Sequence, residues 1–228
     1  LRSTDNASSW NNSTSPITSR LYGVTFGNNT FVAVGQSGKI LRSTDNASSW
    51  DNSTSGISTN LYGVTFGNNT FVVVGPSGKI LRSTDNASSW DNSTSGISTT
   101  LKGVTFGNNT FVAVGDNGIV LRSTDNASSF SSVSPYYTGT SRGVTFGNNT
   151  FLGVSDGGKT GRSIDNASSW NNSTSGISTT LYGVTFGNNT FVAVGQSGKI
   201  LRSTDNASSW NNSTSPITTD LNGVTFSE

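Results

Sequence analysis

Three residue types with versatile chemistry are missing from this chain of 228 residues, which contains no cysteine, no histidine and no methionine. Without cysteine there is no disulfide, no thiolate nucleophile and no soft metal ligand. Without histidine there is no imidazole base and no nitrogen ligand of the kind that zinc prefers. The sequence therefore predicts neither a metal site nor a cofactor.

Charge is also scarce, because charged residues make up 11% of the chain against about 25% in an average domain. The 13 basic and 12 acidic residues leave a formal net charge of +1 and are scattered along the sequence. We therefore expect no nucleic-acid partner and no anionic membrane surface. No apolar run approaches the roughly 18 residues of a membrane span. The sequence starts without Met, which we interpret as a sign of a soluble, processed or excised domain.

What the chain has instead is repetition. A 40-residue unit occurs five times and is followed by 28 further residues. The units start at Leu1, Leu41, Leu81, Leu121, Gly161 and Leu201. Since no linker interrupts the period, we expect residues 1–228 to form one domain. One such unit cannot bury its apolar face alone and must stack against copies of itself.

Each unit contains four short strand patterns, here named A to D. In one copy, strand A covers residues 21–26, B covers 30–34, C covers 39–44 and D covers 48–52, with Gly, Asn and Ser between them. Four antiparallel strands per unit form the blade of a propeller. The predicted fold class is therefore all-β, a β-propeller of four-stranded antiparallel blades. Gly23 leaves room where blades crowd at the axis, so we expect strand A to be innermost.

The sequence is compatible with several ways of closing the ring of blades. The chain begins with strands C and D and ends with strand A alone, so it supplies six A, five B, six C and six D strands. We favour six blades, one of them irregular and made from both termini. The alternatives are five complete blades with extra terminal strands, or terminal strands that pair with another molecule in a strand-exchanged oligomer.

The most specific motif is an octapeptide between strands C and D, which reads Ser-Thr-Asp-Asn-Ala-Ser-Ser-Trp at residues 43–50. It occurs six times and resembles the Asp box, S-x-D-x-G-x-T-W, of bacterial neuraminidase repeat propellers. Its acidic and aromatic positions are Asp5, Trp10, Asp45, Trp50, Asp85, Trp90, Asp125, Phe130, Asp165, Trp170, Asp205 and Trp210. Every copy has Ala where that family usually has Gly, which predicts a turn that depends less on positive φ.

We interpret the octapeptide as structural. A short carboxylate in a turn accepts backbone N–H bonds, and Trp is large enough to wedge between neighbouring blades. The alternative is a Ca²⁺ or polar-ligand site at the turn. Hard cations need several oxygen ligands, and each turn supplies one Asp, so we disfavour this alternative.

The resemblance to neuraminidases implies an arginine triad, a Tyr paired with Glu, and an acid/base Asp, and the sequence does not supply them. The only Glu is Glu228, and the arginines before the octapeptide all occupy one repeat position. General glycoside hydrolysis needs two carboxyls at a suitable separation. Asp116 and Asp156, in equivalent B–C turns, are the available pair, beside ordinary turn residues. We predict that the chain is not an enzyme.

Differences between the units concentrate on one face of the expected disc. In an up-and-down blade the D–A and B–C connections lie on one face, and the A–B and C–D connections lie on the other. The A–B turn and the Asp-Asn-Ala-Ser-Ser core of the octapeptide are identical in all copies. The candidate ligand-binding residues on the variable face are Tyr22, Tyr62, Tyr182, Lys102, Arg142, Asp116 and Asp156.

We predict a non-enzymatic binding or scaffold propeller from a secreted or cell-surface bacterial protein. The variable-face tyrosines suit contact with a glycan or a protein. The alternatives are that these positions merely tolerate change, or that the chain is a purely structural or engineered repeat propeller without a ligand. A glycoside hydrolase is a distant further alternative.

The unit at residues 121–160 is the most divergent. Phe130 replaces the Trp of the octapeptide, and Pro135-Tyr136-Tyr137 stands where other units have Ser-Gly-Ile. We interpret these changes as decay of a blade that the protein can tolerate, with a specialised pocket as the alternative.

Overall fold

The computed structural model describes residues 1–213 and 215–226, and in these residues the chain forms a β-propeller with five complete blades. Each blade is a sheet of four antiparallel strands in chain order, so the predicted fold class is confirmed. The strands are β1 (Leu21–Gly27), β2 (Thr30–Gly35), β3 (Ile40–Ser43) and β4 (Asp51–Ser53) in blade 1; β5 (Gly63–Gly67), β6 (Thr70–Val74), β7 (Ile80–Ser83) and β8 (Asp91–Asn92) in blade 2; β9 (Leu101–Gly107), β10 (Thr110–Gly115), β11 (Val120–Ser123) and β12 (Ser131–Val133) in blade 3; β13 (Ser141–Gly147), β14 (Thr150–Ser155), β15 (Lys159–Ser163) and β16 (Asn171–Thr174) in blade 4; and β17 (Leu181–Gly187), β18 (Thr190–Gly195), β19 (Ile200–Ser203) and β20 (Asn211–Ser213) in blade 5. No helix in these residues is both long and apolar enough to span a membrane.

The observed strands differ from the predicted ones mainly at strand D. That strand was expected at residues 48–52, but β4 spans Asp51–Ser53. The octapeptide continues its turn through these earlier residues, and the Ser48 backbone N–H donates to the Asp45 carbonyl at 3.3 Å. Strands A and B instead extend one residue further than expected, to Gly27 and Gly35.

The A–B hairpin follows directly from its Asn-Asn pair. Gly27 pairs with Thr30, which leaves Asn28 and Asn29 as the two turn residues, with φ of 48° and 55°. A two-residue hairpin loop with positive φ at both positions matches the right-handed twist of the strands, and Asn tolerates that conformation better than most residues. The same turn recurs in each blade.

The first strands of the blades pack against one another through glycines. A Cβ atom on Gly63 would lie 3.1 Å from the Lys102 carbonyl oxygen, so the backbones of β5 and β9 approach closely. At the other end of the strand, a Cβ on Gly107 would lie 2.0 Å from the Phe146 ring of the next blade. Equivalent contacts pair Gly27 with Phe66, Gly67 with Phe106, Gly147 with Phe186 and Gly187 with Phe226.

The hydrophobic core lies between blades rather than within them. Val32 and Val34 of blade 1 pack in one cluster with Phe71 of blade 2. Val112 of blade 3 packs in the same way with Phe151 of blade 4. Strand B is therefore buried on both of its faces, because one set of its side chains faces the preceding blade and the other set faces the following blade.

The octapeptide of each blade contacts the preceding blade through polar groups. The Asn86 side chain donates to the Thr30 hydroxyl at 2.7 Å, and Arg42 Nε donates to the Asn86 carbonyl at 2.7 Å. The Trp90 indole N–H donates to the Ser53 hydroxyl at 3.0 Å. In blades 1 and 2 the strand C arginine and the Trp therefore both serve the contact between blades.

The divergent unit is repacked around Tyr136, so the interpretation of this unit as decayed is wrong. The Tyr136 side chain also does not border an open pocket. This side chain is 6% exposed, and its hydroxyl lies 3.0 Å from both the Ser141 and the Ser155 Oγ atoms. A Cβ on Gly161 would lie 2.0 Å from the Tyr136 ring. The complete blades 1, 2, 3 and 5 have a buried leucine at the Gly161 position. One large side chain has therefore replaced several smaller ones.

Both termini occupy the place next to blades 5 and 1 where a sixth blade would stand. Residues 221–226 lie against β17, and Leu221 N donates to the Gly195 carbonyl at 3.0 Å, as Leu101 N does to Gly75 in a complete blade. At the other end, Arg2 and Asn11 form an antiparallel bridge. The terminal segments thus take the positions of strands A, C and D of a sixth blade, and among the described residues no sheet joins them.

Candidate functional site

The variable face carries the candidate site. The first strand of each blade starts on this face, and the second strand ends there, because neighbouring strands are antiparallel. Tyr22, Lys102 and Arg142 are the second residues of β1, β9 and β13, and Asp116 and Asp156 begin the short turns after β10 and β14. The structure brings the seven candidate residues into two adjoining groups of contacts.

The first group joins blades 1 to 3. The Tyr22 and Tyr62 ring centroids are 5.6 Å apart with the rings tilted by 53°. Lys102 Nζ lies 5.2 Å from the Tyr62 ring centroid and 3.7 Å from an Asp116 carboxylate oxygen. A cation over an exposed aromatic ring contributes about 0.5–1 kcal/mol. These contacts fix the positions of side chains that remain open to solvent.

The second group joins blades 4 and 5. Arg142 forms a bidentate ion pair with Asp156. Its Nε donates to Asp156 Oδ1, and its Nη2 donates to Oδ2 at 3.3 Å. Its guanidinium carbon lies 5.4 Å from the Tyr182 ring centroid. The hydrogen bond to Asp156 raises the pKa of the Arg142 guanidinium, and partial burial, followed by the Asp220 charge, raises the pKa of the Tyr182 hydroxyl. Arg142 is therefore cationic and Tyr182 neutral over the physiological range.

Two residues of the site were missed from the sequence. The Tyr182 hydroxyl donates to Asp220 at 3.3 Å, and the Thr140 hydroxyl donates to Asp116 at 3.0 Å. Asp220 and Thr140 both occupy the repeat position just before strand A. That position varies among the units as Arg20, Asn60, Thr100, Thr140, Thr180 and Asp220. Comparing the copies at this position as well could have identified both residues.

The two turn aspartates do not form a hydrolytic pair. Asp116 contacts Lys102 and Thr140, and Asp156 contacts Arg142. Each carboxylate is paired with a different basic side chain. Glycoside hydrolysis instead needs one carboxyl group to act as the acid and the other as nucleophile or base. Glu228 lies outside the described residues.

The octapeptide carboxylates are occupied by bonds within their own turn. Asp85 Oδ1 accepts from the Ser83 hydroxyl at 2.8 Å and from Ser89 N at 3.0 Å, and Oδ2 accepts from the Ser89 hydroxyl at 2.6 Å. The Ser89 hydroxyl is the largest cause that lowers the pKa of Asp85 to about 2. In residues 1–213 and 215–226 no group of three acidic side chains could hold a metal ion.

The other copies follow the same pattern. The serine hydroxyl four residues later is the largest cause of the lowered pKa, which falls to about 2 in Asp5, Asp165 and Asp205. It also lowers the pKa of Asp45. Burial opposes this effect most strongly in Asp125, where the Ser129 and Ser123 hydroxyls still lower the pKa to about 2.

The expectation that Ala frees the turn from positive φ is wrong. All six alanines adopt the left-handed conformation, with Ala87 at φ 62° and Ala47 at φ 60°. A non-glycine residue there costs on the order of 1 kcal/mol. The cost is offset because Ala87 N donates to the Ser83 hydroxyl at 2.9 Å and the methyl group is fully buried against the preceding blade. Local hydrogen bonds and packing therefore impose the conformation.

Acid is expected to weaken the propeller through these carboxylates. Because their native pKa of about 2 lies below the ordinary value of about 3.9, the stabilisation is fully present above about pH 5 and is lost as the pH falls through 2. The urea midpoint should therefore drop between about pH 5 and pH 2, and Asp85→Asn should reduce that drop. Asp91→Asn, an exposed carboxylate of the same blade, is the matched control. An unchanged midpoint across this range would contradict the prediction.

Comparisons with known proteins identify the fold. No family model and no curated protein matches the sequence. Among solved structures, YCF48 bound to D1 peptide has a TM-score of 0.69 at 19% identity and covers 88% of this chain and 68% of that chain. The computationally designed Ika8 protein has a TM-score of 0.72 at 12% identity and covers 91% of this chain and 65% of that one. The RRP9 WD40 repeats have a TM-score of 0.73 at 7% identity and cover 87% and 65%.

At these sequence identities the similarity to the solved structures concerns the course of the backbone, and it does not extend to the residues with which those proteins bind their partners. This chain spans about two thirds of the length of the structures it matches. The sheets and the comparisons together show that the chain has the β-propeller fold with four-stranded blades.

Proposed function

We propose that this protein is a non-enzymatic binding module whose variable face contacts a polypeptide. The observation that carries the proposal is the clustering of aromatic and cationic side chains on one face. Tyr22, Lys102, Arg142 and Tyr182 lie on the innermost strands of their blades, and Tyr62 immediately precedes the innermost strand of blade 2. The opposite face presents the same turn and octapeptide core in all copies.

The chemistry of this face suits a protein partner. Tyr and Arg are enriched among the residues that dominate protein interfaces. The Tyr22 side chain is 43% exposed, and the side chain of Arg142 is 36% exposed. Their contacts with Tyr62 and Asp156 already order them, so binding would immobilise fewer side chains. The structurally similar YCF48 is bound to a peptide, which supports a polypeptide ligand for this chain.

We further propose that the octapeptide is an Asp box of the neuraminidase-repeat type. The support is its sequence and the use of its Asp and Trp in turn and inter-blade bonds. A secreted or cell-surface bacterial origin is proposed on this resemblance alone. A glycan ligand is the second candidate, because the neighbouring Tyr22 and Tyr62 rings could also receive a sugar face. A structural or engineered repeat without a ligand is the remaining alternative.

A displayed random-peptide library, together with a glycan array, tests the proposal. We expect selected peptides to bind the wild type and to lose about 5- to 30-fold in affinity with Tyr62→Ala or Arg142→Ala, as expected for residues that dominate an interface. Ile164→Ala is the matched control, since Ile164 is 61% exposed and lies in the C–D turn of the opposite face.

Circular dichroism should show that each variant keeps its sheets. Selection of no peptide, binding of glycans only, or equal losses with Ile164→Ala would overturn the proposal.

A further inference from the structure

A groove runs between the N-terminal segment and blade 1. Its larger part is a cavity of about 760 Å³, a size within the usual range of ligand sites. This part is lined by Leu1, Arg2, Trp10, Phe31, Trp50 and Thr225, among others. A second cavity of about 360 Å³ adjoins it and shares Leu1, Val24 and Trp50 with it. Residues from both ends of the chain thus border one groove.

Apolar side chains along the groove are far more exposed than their counterparts elsewhere. Val24 is 64% exposed, whereas Val104 is 8% exposed in the same repeat position. Leu21 is 44% exposed, and Leu101 is fully buried. Leu1 and Trp10 are 80% and 58% exposed. Because the repeats have nearly the same sequence, the difference arises from the missing neighbour and not from the residues themselves.

The register of blade 5 shows which strand would cover these side chains. There, Ala193 of β18 pairs with Val184 of β17 on one side and with Leu201 of β19 on the other. The equivalents of Val184 and Leu201 are Val224 and Leu1. Residues 224–226 and 1–3 therefore present, on either side of the groove, the two edges that a second strand joins in a complete blade.

We propose that this groove binds one extended segment from outside residues 1–228 that carries the strand B pattern Thr-Phe-Val-Ala-Val. The segment would pair with residues 1–3 and 224–226 and complete a sixth sheet by strand addition. In the complete blades the two valines of this pattern pack against the next blade, as Val32 and Val34 do against Phe71. In the groove the valines would cover Val24 and Phe31.

A second copy of the chain is a poorer occupant. In the described blades, strand B is bonded on both edges, and in blade 2 its residues Val72, Val73 and Val74 are fully buried. A copy could donate such a strand only by opening one of its own sheets. A separate, extended segment has no such cost beyond its own ordering.

A labelled peptide with the sequence of residues 187–199 tests the proposal in fluorescence anisotropy with the full chain. We expect saturable binding with one peptide per chain, and at least tenfold weaker binding when the peptide has Asp in place of its two valines. Val24→Arg should weaken binding to the same extent, because this exposed residue lines both cavities. Ile164→Arg is the matched control at an exposed apolar residue outside the groove.

The outcomes separate this site from the variable face. Tyr22 borders the smaller cavity, so Tyr62→Ala is the variant that disables the variable face, and it should leave peptide affinity unchanged. Absence of saturable binding, equal binding of the Asp-containing peptide, or equal weakening by Ile164→Arg would overturn the proposal. Sedimentation of the chain alone as a dimer that the peptide fails to dissociate would show a second copy in the groove and would overturn it as well.

Discussion

Replacing Tyr136 with alanine is expected to lower the free energy of unfolding by about 3–5 kcal/mol, as for other large aromatic side chains removed from a core. The ring fills the space between blades 3 and 4 and lies 5.4 Å from the Trp170 ring. Its hydroxyl is bonded to Ser141 and Ser155, which are both fully buried. Alanine would leave a cavity at the contact between the two blades. Guanidinium denaturation followed by Trp fluorescence measures the loss.

The partner of Tyr136 gives a sharper test. Gly161→Leu alone should destabilise by about 1–3 kcal/mol, because its Cβ would lie 2.0 Å from the Tyr136 ring. Combined with Tyr136→Ala, the same leucine fills space that the ring has left, as Leu121 and Leu201 do in other units. The double variant should therefore be more stable than the sum of the single changes predicts.

Tyr136→Phe separates the ring from the hydroxyl. It should cost only about 1 kcal/mol, because Ser155 and Ser141 can still bond to each other, with their Oγ atoms 3.2 Å apart. A Tyr136→Ala loss below about 1 kcal/mol, or strict additivity with Gly161→Leu, would show that the divergent unit is loosely packed after all.

Local sequence patterns predicted strands A to C and the A–B hairpin to within about a residue, because the causes lie within a few residues. Asn28 and Asn29 set the turn, and alternation of apolar residues sets the flanking strands. The repacking around Tyr136 was missed because the partners of this side chain are distant in the sequence. Its hydroxyl bonds to Ser141 and Ser155, which follow it by 5 and 19 residues. Each change alone looks like a loss of packing. Only the changes taken together show that one large side chain has replaced the volume of several smaller ones.

The left-handed alanines were missed for a different reason. Intrinsic preference argues against positive φ for Ala, and the prediction weighed that preference alone. The hydroxyl of Ser83 and the closely packed interface fix Ala87 regardless. At the candidate site, comparing the copies pointed to the variable positions, but their pairing as Lys102 with Asp116 and Arg142 with Asp156 needed the geometry of neighbouring blades.

Gly107→Ala is expected to produce the second large loss of stability. The new Cβ would lie 2.0, 2.1 and 2.6 Å from three atoms of the Phe146 ring, and that ring packs against Phe151 with centroids 4.6 Å apart. Overpacking a closed interface costs about 1–3 kcal/mol and occasionally more. We expect a loss of about 2 kcal/mol or more, since both rings must shift together. The urea midpoint of the variant measures it.

Two glycines of the same chain are matched controls for this substitution. Gly223→Ala should be nearly neutral, since a Cβ there meets no atom within 4 Å. Gly187→Ala meets the Phe226 ring at the same 2.0 Å as Gly107 meets Phe146. Phe226, however, belongs to the terminal segment and is 45% exposed, so it can move away with that segment.

The cost of the same clash should therefore depend on whether the neighbour can move. Gly187→Ala should lower the urea midpoint less than Gly107→Ala while making the backbone amide of Leu221, which now bonds to Gly195, exchange faster with solvent. If both variants lost the same stability, the terminal segment would be held as firmly as a complete blade, and the groove beside it would not be free to accept a strand. A smaller loss with faster exchange at Leu221 is the result that an incomplete sixth blade requires, because the segment is then held mainly on one side, by β17.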